Sequence, residues 1–318
     1  MYFHNNPDSA NTLDIIATKL HRKPQDIARD VSDLVDLGLL KEVRFISFNK
    51  DRDEELQKEL SQRFTSRGLL DDQTEASSRS PTGVEVIDLL VPGGYPSGSA
   101  VLLMGDPATG KTTLLVQLAI ETLKEGRDVV YATLDDFPDG VRDSMRLMGF
   151  DPRDYEVEGE RRLVFIDCYS FLVGVRSEEQ YSEDPQRLSD LSIVISKALS
   201  ESRNPSNVLL ALDSLTTLLQ RSGIRPSFDF LHTLIAKIRS SKASFLGSLS
   251  RKAFHPAIIA AMQDKMDGVI ELKAEETPEG LARFIRVPKM RSAQHTTAWT
   301  PYDRDSASGL VPHRQGRN

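Results

Sequence analysis

Cysteine is nearly missing: Cys168 stands alone among 318 residues, so no internal disulfide can form and a disulfide-stapled secreted fold is excluded. Long apolar runs are missing too. The longest, such as Val208 to Leu212 and Ala257 to Met262, fall far short of the roughly 20 residues that span a bilayer, which excludes an integral membrane protein. The first residues, Met1 to Pro7, have neither the basic flank nor the apolar core of a signal peptide, so the expected location is a reducing cytoplasm. Nor is there an excess of basic charge. Lys and Arg number 40 against 47 Asp and Glu, a net of -7, which favours solubility and gives no global attraction to nucleic acid or anionic lipid. What is present, 39% hydrophobic and 27% charged residues, is the composition of a folded chain with room for one large domain and a small one.

Residues 1–67 carry two short helical patterns, Leu13, Ile16, Ala17 and Leu20, then Ile27, Ala28, Val31, Leu34 and Val35 after Pro24. Gly38 closes the second, and Leu39 to Phe48 alternates as a short strand, an order similar to a winged-helix unit. Residues 68–80 are polar and lack an apolar period, as a linker does. From 81 to 300, the apolar runs Ala100–Met104, Asp128–Thr133, Leu163–Ile166, Val208–Leu212 and Ala243–Leu249 alternate with amphipathic stretches. That alternation predicts an α/β fold with a mainly parallel twisted sheet. Gly268–Leu272 and Leu281–Val287 flank a hairpin tip at 275–280, and 301–318 reads as a flexible tail.

Between the Ala100–Met104 strand and a helix carrying Leu115, Leu118, Ala119 and Leu123 lies a complete G-x-x-x-x-G-K-S/T motif, Gly105 to Thr112. Its glycines let the backbone curl until successive N–H groups face phosphate oxygens, and the helix N-terminus adds positive potential. Gly105, Asp106, Pro107, Ala108, Thr109, Gly110, Lys111, Thr112 and Thr113 are therefore the candidate nucleotide-binding residues, with Lys111 for the β and γ phosphates and Thr112 for Mg2+. Asp213, at the end of an apolar strand, is the second candidate for Mg2+, held through water. Asp135 and Asp136 follow a strand taken to lie beside the P-loop, where a carboxylate orients the attacking water or accepts its proton.

Together these residues resemble the KaiC family of RecA-type ATPases. The resemblance runs from about Thr82 to Thr297: Gly93 to Gly98 is similar to a G-G-x-P-x-G lead-in, Leu212 to Thr216 to a Walker B segment, Asp267 to Leu272 to a late strand, and Lys289-Met290-Arg291 to a K-x-R element. It implies a RecA-like P-loop core, ATP and Mg2+ as ligands, and assembly into a homo-oligomer, commonly a hexameric ring. It also implies that the first acid of the Asp135-Asp136 pair is the catalytic base and that Lys289 and Arg291 reach a neighbour's γ-phosphate. As residues two apart on a strand, Lys289 and Arg291 share one face, as a charge clamp requires. The chain departs from the family in having Asp where Glu is usual, which implies slow hydrolysis. It also lacks any hydroxyl residue from Ala253 to Gly268, which argues against a clock autokinase.

The expected activity is an ATPase with a regulatory role exercised through nucleotide-dependent assembly or partner binding. The alternatives are a nucleotide-dependent DNA-binding regulator and a non-hydrolysing ATP-sensing scaffold. Residues 1–66 hold 12 acids against 10 bases, and Asp26, Asp30, Asp33 and Asp36 form an acidic stripe on the helix that would enter a DNA groove. A protein partner is therefore favoured over DNA for this unit.

Overall fold

The computed structural model describes residues 79–80, 82–157, 162–278 and 280–313, together with Lys23 and Gln25. Those two apart, the described residues belong to the second of the two units into which the chain divides, Thr74–Asn318. The winged-helix-like unit expected over 1–67 and most of the linker expected over 68–80 lie outside the described residues.

In chain order the elements begin with β1 (Arg79–Ser80), α1 (Glu85–Asp88), β2 (Tyr95–Pro96), β3 (Ala100–Gly105), α2 (Lys111–Lys124), β4 (Asp128–Thr133) and α3 (Pro138–Leu147). After a 3-10 turn come β5 (Leu163–Asp167), α4 (Tyr169–Val173), β6 (Tyr181–Ser182), α5 (Leu188–Ser200), β7 (Val208–Asp213), α6 (Leu215–Ser222) and α7 (Ile224–Ser241). The chain continues through β8 (Ser244–Ser250), α8 (Pro256–Lys265), β9 (Gly268–Thr277), β10 (Gly280–Met290), β11 (Thr300–Asp305) and β12 (Gly309–Pro312).

Ten strands form one sheet in the order β12-β11-β10-β9-β3-β8-β7-β4-β5-β6. From β9 to β6 all neighbours are parallel, and β10, β11 and β12 add antiparallel strands at one edge. Every residue of β3, β4 and β7 is buried. A parallel strand covered on both faces has no solvent side to mark with polar residues, so these segments read as unbroken apolar runs. One face of the sheet packs Leu114, Leu115, Leu118 and Leu123 of α2 with Val141 and Met145 of α3. The other packs Leu191 and Ile195 of α5, Leu218 of α6, Leu231 and Ile238 of α7 and Met262 of α8.

Strand order decides where the site falls. The β3–α2–β4 crossover passes over two strands, so β8 and β7 stand between β3 and β4. The sequence reading that put Asp135 on a strand beside the P-loop is corrected here: adjacency in the chain and adjacency in the sheet differ once later strands insert. Because all four strands are parallel, their C-terminal ends still converge on one rim, the usual ligand-binding edge of an open α/β sheet.

The reading of 301–318 as a flexible tail is also corrected as far as residue 313; residues 314–318 lie outside the described residues. Residues 300–312 form the β11–β12 hairpin on the edge of the main sheet, with Tyr302 and Leu310 buried. Gln117 of α2 locks it there, its amide donating to the carbonyls of Ser308 (3.0 Å) and Leu310 (3.2 Å) while its oxygen accepts from Leu310 N–H (2.9 Å). Only two side chains of the hairpin, those of Tyr302 and Leu310, join the core cluster, too few to give a visible period in sequence. Leu310→Ala is expected to lower stability by about 2–5 kcal/mol, as cavity-forming core substitutions do. Denaturant unfolding followed by the fluorescence of Trp299, the sole tryptophan, tests this; a flexible tail would leave the midpoint unchanged.

Candidate functional site

The loop between β3 and α2 is shaped by close approach. A Cβ on Gly105 would lie 2.7 Å from the carbonyl oxygen of Leu272 on β9 and 2.7 Å from Thr109 Oγ1, so only glycine fits. Ala108 and Gly110 both take positive φ, 63° and 90°. The curl is held by Thr109, whose hydroxyl donates to the Asp106 carbonyl at 2.8 Å, and by Lys111 Nζ, which donates to the same carbonyl at 2.9 Å. Gly110 is the N-cap of α2 and offers no capping side chain. The first-turn N–H groups thus face outward at the positive end of a 14-residue helix. These features fit the phosphates of a nucleotide.

Asp213 supplies the acidic counterpart. It is buried at the end of β7, level with Thr133 of β4, and Ser248 of β8 donates to its Oδ1. The Tyr131 hydroxyl makes a long 3.5 Å hydrogen bond to Oδ2. Burial raises its pKa, an effect opposed by hydrogen bonds from Ser248 and Thr112 and by the charge of Lys111. Lys111 is shifted in turn: desolvation lowers its pKa while Asp213, Asp106 and Asp135 oppose the change. Lys111, Thr112, Asp213 and Asp135 therefore occupy one electrostatic neighbourhood on the rim, and a divalent cation beside Thr112 and Asp213 suits hard oxygen donors.

Asp135 and Asp136 part company. Asp135 accepts a hydrogen bond from Thr217 Oγ1 of α6 and lies within electrostatic reach of Lys111 and Asp213. Asp136 turns to the start of α3, where its Oδ1 accepts from Phe137 N–H at 2.8 Å and its carboxylate packs so close to Gly140 that a Cβ there would fall 2.2 Å from Oδ2. Its contacts are those of a residue fixing a helix start.

Lys289 and Arg291 stand elsewhere. Met290 pairs with Gly268, and Gly268 with Val101, whereas the P-loop begins at Gly105, opposite Leu272. Four residues along β3, about 13 Å, separate the two ends. Lys289 Nζ donates to the carbonyls of Gln263 (2.9 Å) and Asp264 (3.3 Å) at the C-terminal end of α8, and Arg291 pairs with Asp267 at 3.3 Å. Within one chain, then, the structure does not bring these cations to the P-loop.

Residues 80–313 match the KaiC family of ATPases. The chain belongs to that family. A UPF0273 protein of Methanopyrus kandleri is 31% identical over 234 residues, covering 72% of this chain and 89% of that protein. A circadian clock protein KaiC3 of Synechocystis is 32% identical over 255 residues, 76% of this chain but only 47% of the longer relative. The crystal structure of a KaiC-like protein from Pyrococcus horikoshii superposes with a TM-score of 0.61 at 23% identity, covering 74% of this chain and 99% of that one, a likeness of fold.

Several residues at this KaiC-family site carry no sequence signal. Lys252, just past β8, pairs with Asp106 Oδ2 at 2.9 Å, and Tyr302 donates to the carbonyl of Thr109. Beside the P-loop a cleft of about 520 Å3 is lined by Met104, Arg251, Lys252, Phe254, Gln263 and Glu271. A larger cavity of about 650 Å3 lies at the β5–β6 edge, between Glu156, Phe165, Tyr181 and Glu201, away from this rim. Gly105→Ala is expected to destabilise the core unit by about 1–3 kcal/mol, because neither the Leu272 carbonyl nor Thr109 can yield without moving the loop. A thermal melt measures it; an unchanged midpoint would mean that the close approach is not rigid.

Proposed function

We propose that this chain binds Mg-ATP at Gly105 to Thr113 and hydrolyses it slowly, acting as a regulatory module whose assembly or partner contacts change with the bound nucleotide. The observation that carries this reading is the convergence of Lys111, Thr112, Asp213 and Asp135 on one rim. Lys111 would exchange its bond to the Asp106 carbonyl for the β and γ phosphates. Mg2+, held by Thr112 and through water by Asp213, would neutralise the charge that develops on those phosphates. Asp135 accepts the proton of the water whose oxygen bonds to the γ phosphorus, while the bond from that phosphorus to the bridging oxygen breaks and ADP leaves. An Asp is one methylene shorter than a Glu, and misplacement by about 1 Å costs on the order of a hundredfold, which supports slow turnover.

Distance along β3 favours a role for Lys289 and Arg291 across a subunit contact in a homo-oligomer, for which a hexameric ring is the arrangement proposed. Residues 1–67 then serve as a winged-helix-like contact for a protein partner in the cytoplasm. The second reading is an ATP-sensing scaffold without turnover, favoured by the same short carboxylate.

Lys111→Ala is expected to weaken Mg-ATP binding by about tenfold to a hundredfold or more, measured by isothermal titration. Equal affinity would remove the P-loop assignment. Asp135→Asn should suppress phosphate release while leaving ATP affinity within about threefold, since the amide is nearly isosteric but accepts no proton. For the shared interface the test is mixing. A Lys111→Ala subunit lacks a nucleotide site but offers intact Lys289 and Arg291, and an Arg291→Ala subunit is the reverse. Mixing them under subunit exchange should restore part of the activity that each lacks, and no recovery despite demonstrated exchange would confine the cations to their own chain.

A further inference from the structure

Asp135 has an unusual neighbour for a candidate base. Its Oδ1 accepts a hydrogen bond from Thr217 Oγ1, and among the described residues its Oδ2 has no hydrogen-bond partner. Thr217 lies in the first turn of α6, and that turn is anchored from two sides. Ser214, the N-cap, accepts from Thr217 N–H at 3.3 Å, and Thr216 Oγ1 accepts from Ser250 N–H at the end of β8 at 2.8 Å. The turn that carries Asp135 is tied to the same corner, because Leu134 N–H donates at 2.6 Å to the carbonyl of Asp213, the residue before Ser214.

The hydrogens can be assigned without conflict. Ser214 Oγ accepts from Thr217 N–H and directs its own proton to Thr217 Oγ1 at 3.5 Å. Thr217 Oγ1, with a lone pair so engaged, has its single proton free for Asp135. Threonine divides between two χ1 wells in a helix, and the bonds to Ser214 and Asp135 select the one seen here. One carboxylate oxygen is thereby pinned by a donor from α6 and the other left open. That is the condition under which a short acid holds one orientation as a base.

We propose that Thr217 is a positioning residue for the hydrolysis reaction: its hydroxyl fixes the carboxylate of Asp135 so that Oδ2 is presented to the attacking water. The inference rests on the reading of Asp135 as the base, and goes beyond it by naming the group that makes a shorter acid serviceable.

The test uses full-length protein and four variants. Thr217→Val, nearly isosteric but without the hydroxyl, is expected to lower kcat by about tenfold to a hundredfold while the affinity for Mg-ATP, measured by titration, stays within about threefold. Thr217→Ser should recover turnover to within a few fold of the parent. In Thr217→Val/Asp135→Asn, the rate should be no lower than in Asp135→Asn alone, because the hydroxyl has nothing left to orient. Should Thr217→Val not fold, Thr217→Ala replaces it. Parent-like kcat in Thr217→Val beside a defective Asp135→Asn would overturn the positioning role and leave the base in place. Equal damage from Val and Ser, or additive losses in the double variant, would overturn it too. Parent-like turnover in Asp135→Asn, or none in the parent, would instead remove the reading on which it rests.

Discussion

A carboxylate buried in a sheet keeps its charge only if hydrogen bonds and cations replace the water it has lost, and the site is arranged around that requirement at Asp213. Ser248 reaches it from β8, Tyr131 from β4 and Thr112 from the first turn of α2. Each of these groups lies on a different element, so one buried charge fixes the mutual position of the P-loop helix and two strands.

The P-loop has a second support. Its floor is β9 through the Leu272 carbonyl, and its flank is the β11–β12 hairpin through Tyr302 and Leu310. A loop that must open its N–H groups to a ligand makes few internal hydrogen bonds, and here the outer supports replace them. The bond of Lys111 to the Asp106 carbonyl belongs to the same logic: it gives a partly desolvated ammonium a hydrogen-bond acceptor within the loop itself.

How far the sequence carries can be judged from particular residues. β3, the P-loop and α2 are contiguous, so spacing and apolar period reveal strand, glycine turn and helix together. Asp213 is legible because an apolar strand ending in an acid is a local pattern. Asp136 is read with Asp135 for lack of any local sign that its carboxylate turns to Phe137 and Gly140 at the start of α3. Thr217 meets Asp135 across 82 residues of chain and Tyr302 meets Thr109 across 193, and no single-sequence period reports such pairings. The insertion of β8 and β7 between β3 and β4 is hidden for the same reason: strand order is a property of the sheet. The family resemblance drawn from the P-loop, the Walker B segment and the K-x-R element is matched by membership in the KaiC family over 80–313.

The docking of the β11–β12 hairpin on the P-loop also bears on biosynthesis. A ribosome delivers Gly105 to Thr113 almost two hundred residues before it delivers Tyr302 and Leu310, which complete their surroundings. A nascent core can pair β3 with β8 and β9 as those strands emerge, yet its phosphate loop stays without a flank until residue 312 has left the exit tunnel. Translation products ending before that point would carry the whole motif and lack its final packing, so chains with and without the hairpin differ at the phosphate loop itself.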